Sequence, residues 1–96
     1  MWVLVTYDVA TDTAVGRSRL RRVAKVCEGY GQRVQKSVFE CTVSENNYER
    51  LKQRLLKIIN EKEDSLRFYK LPEGRERRVE EFGQDHVLDF TAPLVV

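Results

Sequence analysis

Asp8 is the first acidic residue of the chain, and it closes the apolar run WVLVTYD at the point where turn-forming residues begin. A carboxylate mounted at the end of a strand can hold a hard divalent cation or take a proton as a general base. The same placement also suits an ordinary turn residue acting with Thr11 and Asp12. A second chemistry is carried by cations. Arg17, Arg21 and Lys25 recur every four residues and fall on one flank of a helix, while Arg19 and Arg22 point elsewhere. Like charges at that spacing repel by roughly 0.2–0.5 kcal/mol per pair, a cost that a phosphate-bearing partner relieves. A solvated helix face is the alternative.

Other reactive residue types do not assemble. His86 is the sole histidine and stands in the C-terminal tail, and Ser37 has no base at readable spacing but suits shaping a bend beside Lys36. Cys27 and Cys41 have no C-x-x-C pattern and no histidine at metal spacing, and each falls in an apolar pattern. They read as buried thiols of a reducing cytoplasm. Gly29 and Gly31 follow a helical pattern instead of preceding one, which is C-cap placement and not a phosphate-cradling loop.

The elements that must position Asp8 and the cations follow from periodicity. The residues before Asp8 favour strands, and their near-continuous hydrophobicity predicts a strand covered on both faces and central in its sheet. Asp12 or Thr13 then caps a helix in which Leu20, Val23, Ala24 and Cys27 share one stripe, running to about Glu28. In residues 32–43, QRVQKSVFECTV, the apolar phase slips between Val38 and Phe39. A bulge or bend near Lys36 and Ser37 explains the slip and leaves open two strands or one sharply bent strand. Ser44 caps a second helix with Tyr48, Leu51, Leu55 and Ile58 on one face, Leu56 and Ile59 widening the stripe, and the charged cluster from Glu61 to Asp64 ending it. SLRFYKL makes a further strand before a turn at Pro72, Glu73 and Gly74 and a basic patch at Arg75, Arg77 and Arg78.

The order β–α–β–β–α–β plus one more short strand is an α+β, ferredoxin-like sandwich with both helices on one face of an antiparallel sheet. Val79, Phe82, Val87, Leu88 and Phe90 are apolar yet lie outside the six core elements. Residues from about 79 to 96 are therefore expected to cross onto a second copy, as a C-terminal dimerisation segment of the single domain 1–96. The chain has 17 basic and 15 acidic residues for a net charge of +2, so only the local clustering of cations, and not the overall balance, points to nucleic acid. No apolar run approaches the roughly 18 residues that span a bilayer, and no basic flank precedes the short N-terminal run. A cytoplasmic protein, neither secreted nor membrane-embedded, is expected.

Three stretches carry a family resemblance: the strand ending Tyr7-Asp8, the run Arg19-Leu20-Arg21-Arg22 leading to Tyr30-Gly31, and, most specifically, QRVQKSVFE from Gln32 to Glu40. In this order and at this chain length they resemble the CRISPR-associated protein 2 family, the small dimeric component of the spacer-acquisition machinery. The resemblance covers nearly the whole chain and is loosest from Pro72 onward. It implies a ferredoxin-like homodimer in which Asp8 of each subunit faces its counterpart across the interface, with Mg²⁺ or Mn²⁺ between them. It also implies a metal-dependent endonuclease of double-stranded DNA or single-stranded RNA, and a non-catalytic bridge between the integrase subunits that insert new spacers. Tyr7, Arg33 and Phe39 occupy positions that the resemblance marks as neighbours of the site. Arg33 also suits a surface cation, and Phe39 suits a core aromatic.

Three functions are compatible with these residues. The first is phosphodiester hydrolysis with Asp8 essential. Two-metal nucleases gather several carboxylates, whereas this chain offers Asp8 alone and a dimer would supply two; Asp12 suits helix capping. The second is a dimeric adaptor that lays duplex DNA across Arg17, Arg19, Arg21, Arg22 and Lys25, with Arg33 and the patch from Arg75 to Arg78 as further contacts, and docks integrases through its C-terminal segment. Such phosphate contacts give affinity without sequence readout. The third is a small-molecule-sensing regulatory domain, which the fold permits but for which the expected glycine-lined loop is missing.

Overall fold

In a computed structural model, which describes residues 1–72 and 78–83, the run Trp2–Asp8 forms strand β1 inside a four-stranded sheet. It pairs antiparallel with β3 (Val38–Thr42) on one side and β4 (Ser65–Leu71) on the other, and β2 (Gln32–Gln35) is the outer neighbour of β3. Helices α1 (Ala14–Glu28) and α2 (Glu45–Ile58) complete the βαββαβ order, with strand order β2-β3-β1-β4. This is the expected α+β, ferredoxin-like arrangement. The additional C-terminal strand, the turn at Glu73 and Gly74, the cations Arg75 and Arg77, and His86, Val87, Leu88 and Phe90 lie outside the described residues.

The question left open in residues 32–43 is resolved by main-chain pairing. Lys36 and Ser37 form a turn between two strands, and the register of β2 against β3 shifts between Arg33 and Gln35. That irregularity accounts for the slipped apolar phase.

The core lies between the helices and one face of the sheet. Val3, Val5 and Tyr7 of β1 meet Phe39 and Cys41 of β3, Val23 and Cys27 of α1, and Tyr48, Leu51 and Leu55 of α2. Each fully buried Val or Leu contributes roughly 1.5–3 kcal/mol relative to exposure. The helices start where their caps dictate: Thr13 Oγ1 accepts from Gly16 N at 3.0 Å and Ser44 Oγ accepts from Asn47 N at 3.1 Å. The first cap is thus Thr13, and Asp12 is an exposed residue before it.

Three expectations are corrected. β1 is central, but Leu4 and Thr6 on its second face are only half-buried, so cover there is partial. Leu56 is 40% exposed, because a residue adjacent to Leu55 is turned about 100° away from the buried stripe. The second helix ends at Ile58, ahead of the charged cluster, whose residues form a turn. Gly29 and Gly31 close α1 as expected, Gly29 as the cap with right-handed backbone (φ −74°) and Gly31 N donating to Cys27 O at 3.0 Å. Gly31 is besides required for close approach, since a Cβ there would strike Glu40 O and Cys41 Sγ.

Candidate functional site

Asp8 is exposed at the last position of β1, opposite Ser65 of β4. Because side chains alternate along a strand, and Tyr7 enters the core, Asp8 shares the helix-free face of the sheet with Leu4 and Thr6. The chain re-enters the core at Val9, 7% exposed, so the carboxylate is carried on a short span anchored on both sides.

The loops flanking Asp8 are tied together by Asp64. Its carboxylate, with no exposed side-chain surface, accepts from Arg19 Nε at 2.8 Å, Ala10 N at 3.1 Å and Asn60 N at 2.8 Å. Arg19 Nη2 also reaches Glu63 Oε2 at 3.2 Å. Desolvation pushes the Asp64 pKa up, but hydrogen bonds from Arg19, Asn60 and Ala10 outweigh it and hold the group below the ordinary carboxylate value. Arg19 is therefore buried and committed, which removes it from the cations available to a phosphate backbone. The helical spacing places it off the Arg17 flank, but its partner stands 45 residues away, beyond the reach of any local pattern.

Tyr7, Arg33 and Phe39 are brought together, though on the core side of the sheet and not beside the Asp8 carboxylate. The Tyr7 and Phe39 rings stack with centroids 6.3 Å apart, and the Arg33 guanidinium lies 5.1 Å from the Phe39 centroid. Phe39 is fully buried, in keeping with the core role. Burial raises the Tyr7 phenol pKa, against the opposing hydrogen bond with Arg33. Arg17, Arg21, Arg22 and Lys25 are exposed, with Arg17 Nη1 donating to Thr11 O at 3.1 Å.

The helix-free face holds a cavity of about 620 Å³ with an apolar floor of Trp2, Leu4, Val38 and Leu71 on the sheet and a mixed outer wall in which Val79 and Phe82 stand among Arg78, Glu80 and Glu81. Trp2 is buried against it, and its indole N–H has no hydrogen-bond partner among the described residues. Among the described residues no three His, Cys, Asp or Glu side chains gather to hold a metal ion. One exposed carboxylate fits Mg²⁺ or Mn²⁺ only as a single ligand to an ion that keeps most of its water, and a second Asp8 from a symmetric copy would make the pair.

The family described as CRISPR associated protein Cas2 matches residues 1–79. The chain belongs to this Cas2 family. A curated relative from Moorella thermoacetica, named CRISPR-associated endoribonuclease Cas2 1, is 55% identical over 96 residues, all of both chains. One from Halalkalibacterium halodurans, named CRISPR-associated endonuclease Cas2, is 47% identical over 95 residues, 99% of each chain. The crystal structure of Streptococcus pyogenes Cas2 at pH 6.5 superposes with a TM-score of 0.79 at 59% identity, covering 86% of this chain and 100% of that one. The Cas2 fold is thus shared across the sheet, both helices and the strand that carries Asp8.

Proposed function

We propose that this Cas2-family chain is a divalent-metal-dependent endonuclease of the CRISPR system, working as a homodimer whose two Asp8 carboxylates meet at the helix-free faces of the two sheets. The observation that carries this reading is the presence, on one helix-free face, of an exposed strand-end carboxylate and an apolar sheet surface of Trp2, Leu4, Val38 and Leu71. Symmetry then supplies the second carboxylate that one chain lacks. The relatives' names support phosphodiester hydrolysis as the reaction.

Asp8 would hold Mg²⁺ or Mn²⁺, which supplies Lewis-acid stabilisation of charge at the scissile phosphate and a more acidic attacking water. The chain's own residues do the rest. The Arg19–Asp64 pair keeps the Asp8 span in place, while the exposed α1 cations Arg17, Arg21, Arg22 and Lys25 lie on the helical layer and serve the bridging role below, holding a phosphate backbone without reading its sequence. Arg33 acts indirectly, by fixing the Phe39 and Tyr7 rings beneath the strand. The domain is 1–96, with residues from about 79 onward serving the dimer contact, and the setting is cytoplasmic; among the described residues no helix is long and apolar enough to cross a membrane.

A second role is compatible with the first: the dimer bridges integrase subunits during spacer insertion, its exposed α1 cations laying duplex DNA across the assembly. Asp8→Asn, which keeps size and removes charge, separates the two. Magnesium-dependent cleavage should vanish while integrase-dependent insertion persists; cleavage unchanged in the variant would remove Asp8 from the reaction.

A further inference from the structure

On the outer surface of the helical layer, Arg22 and Lys25 of α1 face Arg54 and Lys57 of α2 across an open groove of about 510 Å³ floored by Val26 and Ile58. All four cations are exposed, and no acidic residue lines the groove. None of the four forms an ion pair among the described residues. Arg54 is nevertheless held in place: its guanidinium sits 5.8 Å from the Tyr30 ring centroid and Nη1 donates to Tyr30 Oη at 3.5 Å. Lys57, in the last turn of α2, and Lys25, in that of α1, gain from the helix dipole. The dipole does not account for Arg22 and Arg54, which stand further back along their helices.

We propose that this groove is a phosphodiester-backbone track for duplex nucleic acid, distinct from the Asp8 face. The proposal rests on the nucleic-acid reading above and assigns two residues, Arg54 and Lys57, that spacing along α1 never indicated. Continuity selects the partner. The groove prolongs the exposed line Arg17, Arg21, Lys25, which rises over eight residue steps, or about 12 Å of helix axis at about 1.5 Å per residue. Over that length one strand of a duplex presents about three or four phosphates, at about 3.4 Å each along the axis. An extended, evenly charged polyanion matches a line of cations that turns from one helix onto the next. Since the helices cover one face of the sheet and Asp8 lies on the other, a duplex in the groove is held and not presented to the carboxylate. The groove thereby gives the bridging role a surface of its own.

The test is a fluorescence-anisotropy titration of a labelled duplex of arbitrary sequence, in EDTA so that cleavage plays no part, at several salt concentrations. In the full chain, Arg54→Gln with Lys57→Gln is compared with Arg50→Gln with Lys62→Gln, which removes the same charge from exposed positions outside the groove. The groove pair should weaken binding by about tenfold and make the log K against log salt slope shallower by about 1.8, the value for two lost phosphate contacts. The control pair should stay within about twofold. Equal losses in both variants, reducible to net charge, would overturn the proposal, as would an unchanged slope in the groove pair. Displacement of the duplex by poly-L-glutamate at a lower charge concentration than by unlabelled duplex would overturn it in favour of an acidic protein partner. Failure of metal-dependent cleavage leaves the contrast between the two variants standing, whereas absence of duplex binding by the unaltered protein removes the nucleic-acid reading itself.

Discussion

Replacing Asp64 by alanine removes the acceptor that joins the loop after Asp8 to the loop before β4. The carboxylate takes hydrogen bonds from Arg19 Nε at 2.8 Å, Arg19 Nη2 at 3.3 Å, Ala10 N at 3.1 Å and Asn60 N at 2.8 Å. Hydrogen bonds to a charged group contribute about 1.5–3 kcal/mol each, but they share one acceptor and do not add, and water can take over at the exposed Asn60. Counting the Arg19 and Ala10 contacts alone, the loss is about 3 kcal/mol, near the low end of the range for breaking a buried ion pair. In a domain of this size that lowers Tm by about 12 °C or more at neutral pH. Asp64→Asn keeps a single acceptor oxygen where Ala10 N and Asn60 N use different ones, so it satisfies only one of them and should also lower Tm.

The pH dependence has a definite sign. The folded-state pKa of Asp64 is depressed, so its contribution is complete above the unfolded value of about 3.9 and disappears as pH falls through the lower folded value. The Tm gap between the unaltered protein and Asp64→Ala, followed by circular dichroism, should therefore hold steady from neutral pH to about 5 and narrow below about 4. A Tm loss under about 4 °C, or a gap that stays constant into strong acid, would refute the assignment of Asp64 as an ionised, stabilising acceptor.

Three further outcomes follow from packing. Leu55→Ala should cost about 3 kcal/mol by chemical denaturation, whereas Leu56→Ala, one residue on and 40% exposed, should stay within about 0.5 kcal/mol. Gly31→Ala should destabilise by about 1–3 kcal/mol, because the added methyl meets Glu40 O and Cys41 Sγ; an unchanged denaturation midpoint would contradict that contact. Burial, reinforced by Cys41, pushes the Cys27 thiol up to about 12, and burial with Glu40 pushes Cys41 up to about 11. Neither should react with iodoacetamide in the native state at mildly alkaline pH, while both should react once the chain is unfolded, as mass spectrometry would register.

Much of the frame was legible because its signals are local. The apolar run ending at Asp8, the stripe Leu20, Val23, Ala24, Cys27 and the Ser44 cap each lie within a few turns of chain, and each forms the element it predicts. What escaped depended on distant partners. Arg19 is off the Arg17 and Arg21 flank by helical spacing, but its burial depends on Asp64, which folds back beside it from 45 residues away. Arg54 and Lys57 look like the polar face of an amphipathic helix until α1 brings Arg22 and Lys25 across from them. Tyr7, Arg33 and Phe39 do cluster, but strand alternation turns them into the core and leaves Asp8 on the opposite face. A single chain therefore shows where the carboxylate is mounted, while the second carboxylate depends on a symmetric copy.

If two Asp8 side chains share one divalent ion, as proposed, the stoichiometry of binding is fixed by the dimer. Titration of the protein with Mn²⁺, following the free-ion electron paramagnetic resonance signal, tests it without reference to cleavage. One bound ion for every two chains is expected, with its loss in Asp8→Asn. One ion per chain, or binding that survives the substitution, would contradict it.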